Sequence, residues 1–164
     1  MGKNKIATVI FAIIVFVAYG KADSRNEERW TGNYFALRAE MMPIPTEMGV
    51  ATAMEIGRAG GGKLMARTAL GFSGGTLFLF DADAGYGYPF YLGWLTLQPE
   101  LYAGYSVMGI YGSDQGMDVA LKVRAEKDIK RWGFSVAPSL RYSNLYNWFS
   151  FSLDCCVKYD IVRW

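Results

Sequence analysis

"MDVALKVRAE", residues 117–126, puts an apolar side chain at every odd position: Met117, Val119, Leu121, Val123 and Ala125. The even positions hold Asp118, Lys122, Arg124 and Glu126, with Ala120 between them. A period of two is that of a pleated strand, whose successive side chains point to opposite faces. On a helix, with its period of 3.6, the same residues would be scattered around the axis. The stretch therefore reads as a strand with one apolar face and one charged face.

The alternation continues in both directions. Upstream, Phe35, Leu37, Ala39 and Met41 oppose Arg38 and Glu40, and Met48, Val50, Thr52, Met54 and Ile56 oppose Glu55. Leu64, Ala66, Thr68, Leu70 and Phe72 stand against Lys63 and Arg67, and Phe78, Phe80, Ala82, Ala84 and Tyr86 against Asp81 and Asp83. Leu95, Leu97, Leu101, Ala103, Tyr105 and Val107 face away from Glu100. Downstream, Phe134, Val136, Leu140 and Tyr142 oppose Arg141, and Phe149, Phe151, Leu153, Val157, Tyr159 and Ile161 oppose Asp154, Lys158 and Asp160. These make eight segments, an even number. Their sixteen charged residues share one face, and Arg163 alone falls just beyond the last clean alternation.

Alternating strands build either a soluble barrel, apolar inside, or a membrane barrel, apolar outside. Three features favour the membrane. Each segment has about 9 to 12 residues, the length a tilted strand needs to cross the hydrocarbon layer. Small residues (Gly104, Ser106, Ala120, Ser135, Ala137, Ser139) share the charged face with long side chains, which suits a narrow filled lumen. Aromatics gather at segment ends: Trp30, Tyr88, Phe90, Tyr91, Trp94, Trp132 and Trp164 at one end, Tyr111, Tyr146 and Trp148 at the other. Two aromatic belts match the two interfaces of a bilayer. The expected fold is all-β, an eight-stranded antiparallel up-and-down transmembrane barrel. A secreted ligand-binding barrel, soluble and apolar within, is the alternative.

The N-terminus is a separate object. Lys3 and Lys5 precede an apolar or small run from Ile6 to Ala18, and Gly20-Lys21-Ala22 offers small residues at a cleavage site. Residues 1–22 read as a secretory signal peptide, 23–31 as a polar periplasmic lead-in and 32–164 as the barrel. Without Lys3, Lys5 and Lys21, the chain keeps 14 basic and 15 acidic residues, a net charge of −1. Neither that balance nor any basic stripe suggests nucleic-acid binding. Nineteen glycines and 16% aromatics fit turn-rich β-structure.

"IGRAGGGKLM", residues 56–65, has the Gly-x4-Gly-Lys spacing of a phosphate loop. Leu64 stands where a magnesium-binding hydroxyl is needed, and a strand rather than a helix follows. "RAGGGK" reads instead as a hairpin turn whose glycines permit positive φ. The chain has no histidine, hence neither the commonest general base nor the commonest metal ligand. Asp81 and Asp83 have a spacing that suits calcium, yet no loop of oxygen ligands follows them, and they read as partners for interior arginines. No catalytic, cofactor or metal residues are assigned. The interior network is expected to comprise Arg38, Glu40, Glu55, Arg67, Asp81, Asp83, Glu100, Lys122, Arg124, Glu126, Arg141, Asp154 and Lys158, forming a polar plug or, alternatively, a narrow ion path.

Adjacent Cys155 and Cys156 should point to opposite faces as reduced thiols. Pro99 and Pro138, on apolar faces of paired strands, should mark bulges or distortions. With both termini periplasmic, the outward loops fall near 43–47, 73–75, 112–116 and 144–148. All are short, which weakens an adhesin reading.

Residues 82–106, "ADAGYGYPFYLGWLTLQPELYAGYS", resemble the generic outer-membrane β-barrel domain, in which a Gly-aromatic strand end, a short turn and an apolar "L-x-P-E-L" strand recur. The whole chain after residue 22 is similar in pattern to small eight-stranded barrels such as the transmembrane domain of outer-membrane protein A. Trp164, with Val162 two before it, resembles the terminal assembly signal of such barrels, although Asp160 and a slip in register near Ile161 depart from it. The resemblance implies residence in the outer membrane of a diderm bacterium, in contact with its lipid. It also implies assembly by periplasmic chaperones and the barrel-assembly machinery. Some barrels of this architecture modify lipid A with histidine chemistry, which this chain lacks; it is not expected to be an enzyme.

Overall fold

The computed structural model describes residues 32–43, 46–58, 61–73, 77–108, 114–144 and 148–164, with backbone alone at 47, 73, 77 and 148. The expected signal peptide and lead-in, together with Trp30, Tyr111 and Tyr146, lie outside these residues.

The strands are β1 (Asn33–Met42), β2 (Glu47–Arg58), β3 (Lys63–Ser73), β4 (Leu77–Gly87), β5 (Phe90–Leu92), β6 (Leu95–Met108), β7 (Asp114–Ile129), β8 (Trp132–Ser143) and β9 (Trp148–Arg163). Consecutive strands pair antiparallel except β4 and β5, which both pair with β6; β1 pairs with β9, so the sheet closes on itself. Because β4 and β5 both pair with β6 in one register, they form a single interrupted stave. Nine strands thus make eight staves of an up-and-down barrel, and closure leaves no sheet edge.

The strands run to 16 residues in β7 and β9, longer than the 9 to 12 expected. Their extra length carries them past the apolar stretch: β7 adds Lys127 to Ile129 at the end bearing the chain termini.

Burial follows the period of two with the polarity of a soluble protein reversed. All sixteen alternating charges are buried, whereas Leu64, Leu101, Met117, Leu121 and Phe149 are exposed. Leu95, in the tight β5–β6 hairpin, departs from its face and is buried. Buried apolar clusters are small, Met42 with Ala51 and Ala69, and Met65 with Tyr102 and Ala120. So extensive an apolar exterior is stable against lipid and not against water. The alternative of a soluble barrel with an apolar interior is overturned by this pattern.

Both prolines distort the sheet without a bulge. Tyr88 N–H donates to Pro99 O at 3.2 Å, but Pro99 has no N–H to return, and β4 breaks off opposite it at Tyr88–Pro89. Across from Pro138, the β7–β8 ladder lapses between Lys122↔Ser139 and Ala125↔Val136, with the register unchanged. The slip near Ile161 is a genuine register shift. Phe35 faces Val162 but Ala36 faces Asp160, so Ile161 is the extra residue of a bulge. That extra residue reverses the phase of the strand end. Arg163 turns to the inner rim, where it binds Asp160 at 2.6 Å, while Val162 and Trp164 are exposed.

The "RAGGGK" turn joins β2 to β3, with Gly61 N–H donating to Arg58 O at 2.9 Å. The expectation of positive φ there is corrected for the described glycines: positive φ occurs at Gly93 and Lys130, not at Gly61 or Gly62. At Gly62 the demand is for space, since a Cβ would lie 2.2 Å from the Tyr86 hydroxyl.

Candidate functional site: the charged lumen

The lumen is lined by the inward faces of all eight staves. At its centre, Glu40 of β1 receives three cations: Arg67 Nε at 3.0 Å, Lys122 Nζ at 3.0 Å and Arg124 Nη2 at 2.8 Å. Arg124, fully buried, also grips Glu100 through Nε at 2.7 Å and Nη2 at 3.0 Å, and its Nη1 donates to Ser135 at 3.1 Å. The planar guanidinium supplies this fork of donors; an ammonium would not. Lys122 also binds Asp154, which accepts from Ser152 at 2.9 Å.

Toward the termini, Arg38 joins Glu55 to Glu126, the latter at 2.9 Å. Lys63 adds to Glu55 at 3.1 Å, and Lys158 bonds Glu126 at 2.6 Å and Asp128 at 2.9 Å. Toward the other end, Arg141 contacts Asp81, Asp83 at 3.0 Å and Asp118 at 3.0 Å, while Arg67 reaches Asp83 at 2.8 Å. Asp81 and Asp83 therefore meet arginines, and among the described residues no cluster of three or more His, Cys, Asp or Glu could hold a metal ion.

Several of these pairs span the lumen. Glu40 and Arg38 lie on β1, whereas Arg124 and Glu126 lie on β7, three staves away in the sheet order. Arg141 on β8 is as far from Asp83 on β4. Such charges are tolerated when buried because each carboxylate has a cation beside it.

The sequence reading passed over several neutral members of the network. Tyr34 donates to Glu55 at 2.6 Å, Tyr102 donates to Glu100 at 3.1 Å, and Gln98 donates to Glu100. All three share the phase of the charged face, and that was their signal. Gly85 makes room for Tyr102: an added Cβ would sit 2.5 Å from the ring. Cys155 is exposed; Cys156 is buried, with its sulfur 3.7 Å from Arg38 Nη1, and both are free thiols.

The aromatics sort to the two rims. Trp94, Trp132 and Trp164 are exposed at the end bearing the termini, where Trp132 packs on Tyr159 with ring centroids 4.7 Å apart. At the opposite end, exposed rings come from pairs the sequence reading did not group there, Phe72 with Phe78 and Tyr142 with Phe149. Trp148 begins β9 at that end, its side chain outside the described part.

No protein-family model and no curated protein matches the sequence. Solved structures do. Neisserial surface protein A matches with a TM-score of 0.56 at 13% identity, over 80% of this chain and 98% of that one. The Yersinia pestis outer-membrane protein Ail matches with a TM-score of 0.48 at 11% identity, over 80% of this chain and all of its own. A de novo designed transmembrane β-barrel gives 0.47 at 11% identity, over 82% of this chain and 99% of the design. The first of these establishes a likeness of fold: this chain is built as a small eight-stranded outer-membrane-type β-barrel.

Proposed function

We propose that this barrel is a structural, membrane-integrity protein of a diderm outer membrane, its lumen plugged by its own salt-bridged side chains. The observation that carries the reading is the set of ion pairs crossing the lumen, Glu40–Arg124, Arg38–Glu126 and Asp83–Arg141. Eight staves enclose a bore that side chains just fill, and these pairs tie opposite walls together. In this reading residues 1–22 direct export and are removed, residues 23–31 form a periplasmic lead-in, and chaperones and the barrel-assembly machinery deliver the chain. Val162 and Trp164, set outward by the bulge at Ile161, supply the terminal signal.

Purified protein in planar bilayers is expected to show no steady conductance, and Arg124→Ala to introduce a leak. A second reading, a narrow ion channel, draws on lumen atoms without a protein partner: Arg38 Nε, Asp83 Oδ1 and Gln98 Oε1. Such atoms call for ordered water, and a file of waters would pass small ions. Stable, ion-selective openings in the unmodified protein would favour the channel and refute the plug.

A further inference from the structure

The exposed cations gather at one end of the barrel. Among the described residues, the exposed cations are Arg58, Lys127, Lys130 and Arg131, all near the end bearing the termini. Three of them lie in one hairpin, "KDIKR", residues 127–131, joining β7 to β8. By sequence its lone acid offsets one of the three cations. In the fold, Asp128 stands on the inward phase at the rim, half-exposed, and bonds Lys158 at 2.9 Å, so it turns toward the mouth of the lumen and away from the three cations. Among the described residues no acid pairs with Lys127, Lys130 or Arg131 on the outside. Lys127 is held with Nζ 5.6 Å from the centre of the Trp94 ring, and Arg131 Nη1 donates to Ile161 O at 3.4 Å.

Beside these cations lies an apolar groove of about 270 Å³ on the outer wall, lined by Ile129, Trp132, Phe134 and Val157. The strand register joins the two features: Lys127 pairs with Phe134, and Ile129 with Trp132. An unbalanced cationic cluster at the membrane interface, continuous with an apolar groove toward the bilayer centre, complements a molecule with an anionic head and a hydrocarbon tail.

We propose that the β7–β8 hairpin binds an anionic phospholipid of the leaflet nearest the chain termini, its phosphate against Lys127, Lys130 and Arg131 and an acyl chain along the Trp132 groove. This rests on the membrane reading above. Basic residues at a membrane surface attract anionic lipids additively, and a lysine fixed on an indole has less freedom to lose when it binds.

Protein purified from membranes is placed in nanodiscs of equal phosphatidylglycerol and phosphatidylcholine, and the lipids retained on release are counted by native mass spectrometry. A change in gel migration on boiling first verifies the membrane fold, so failure of that reading is seen separately. Wild type is expected to retain phosphatidylglycerol selectively, and Lys127→Gln, Lys130→Gln and Arg131→Gln to weaken retention by about fivefold per cation removed. Arg58→Gln, at the same end but outside the hairpin, should leave retention unchanged. Equal loss in Arg58→Gln, or undiminished selectivity in the triple variant, overturns the site. Selectivity that appears only after residues 23–31 are removed also overturns it, since the lead-in would then be the occupant. Should the triple variant not fold, wild type still decides: brominated phosphatidylglycerol must quench tryptophan emission more than brominated phosphatidylcholine, and equal quenching refutes the proposal.

Discussion

Ala120 and Leu121 are consecutive residues of β7 that face media of opposite polarity. Ala120, 1% exposed, packs against Met65 and Tyr102 in a lumen of paired charges; Leu121, 52% exposed, projects into lipid. The inner wall resembles a protein surface folded inward, with long ionic side chains and small spacers. The outer wall resembles a core turned outward. The cohesion of the two walls differs accordingly. Outside, lipid replaces packing partners at little cost, so each apolar side chain is individually dispensable. Inside, buried charges are held by one another, so removing one partner leaves another charge uncompensated.

The largest expected effect comes from breaking the inner wall at its most connected residue. Arg124→Ala leaves Glu40 with two of its cations and Glu100 with only neutral donors. Truncating one partner of a buried pair costs about 3–5 kcal/mol. Urea unfolding in phospholipid vesicles, followed by tryptophan fluorescence, should show a loss of that size. A loss below about 1 kcal/mol would mean that the lumen is hydrated enough to screen its charges.

The outer wall is tested by adding a charge. Leu121→Arg puts a guanidinium in the hydrocarbon layer at about 2–4 kcal/mol. Ala120→Arg puts the same group in the lumen, where crowding against Met65 and Tyr102 opposes it but carboxylates receive it. Insertion yield into vesicles should therefore fall further for Leu121→Arg. Equal yields, or the reverse order, would exchange the two faces.

The smallest effect compares two hairpin turns. Gly93 and Lys130 each begin a two-residue turn with positive φ, 69° and 59°. Glycine adopts this conformation without steric cost, whereas a lysine there is strained by about 1–2 kcal/mol. Replacing Lys130 by glycine relieves that strain but frees the unfolded chain by about 0.5–1 kcal/mol. In vesicles of phosphatidylcholine alone, where no anionic lipid is present, Lys130→Gly should thus gain about 0.5–1 kcal/mol in the same unfolding assay, and Gly93→Lys should lose stability. A loss in Lys130→Gly there would show that the Lys130 side chain makes a stabilising contact within the protein.

The faces were legible because the period of two is local: knowing that Lys122 points inward requires only Leu121 and Val123 beside it. The pairing within the lumen was not. Arg124 and Glu40 are 84 residues apart, and Arg38 and Glu126 are 88 apart. Their meeting depends on the stagger of every stave between them. Tyr34, Gln98 and Tyr102 were in phase with the charges but carried no charge to draw notice. Of the two forms expected at Pro99 and Pro138, bulge or distortion, the second occurs, because a missing N–H can end a ladder locally without adding a residue to the strand.

By itself, then, the sequence determined the staves, their number, and which side chains share a wall, since each follows from alternation between neighbours a few ångströms apart along one chain. Only the tertiary structure decided which carboxylate meets which cation, because closure brings residues from distant staves into one narrow bore, where proximity and not chain position selects partners. It also decided the fate of two short segments. One extra residue at Ile161 turned Trp164 outward, and the inward phase of Asp128 turned the hairpin's one acid away from its three cations. Both outcomes depend on the register against a neighbouring stave, which no residue specifies alone.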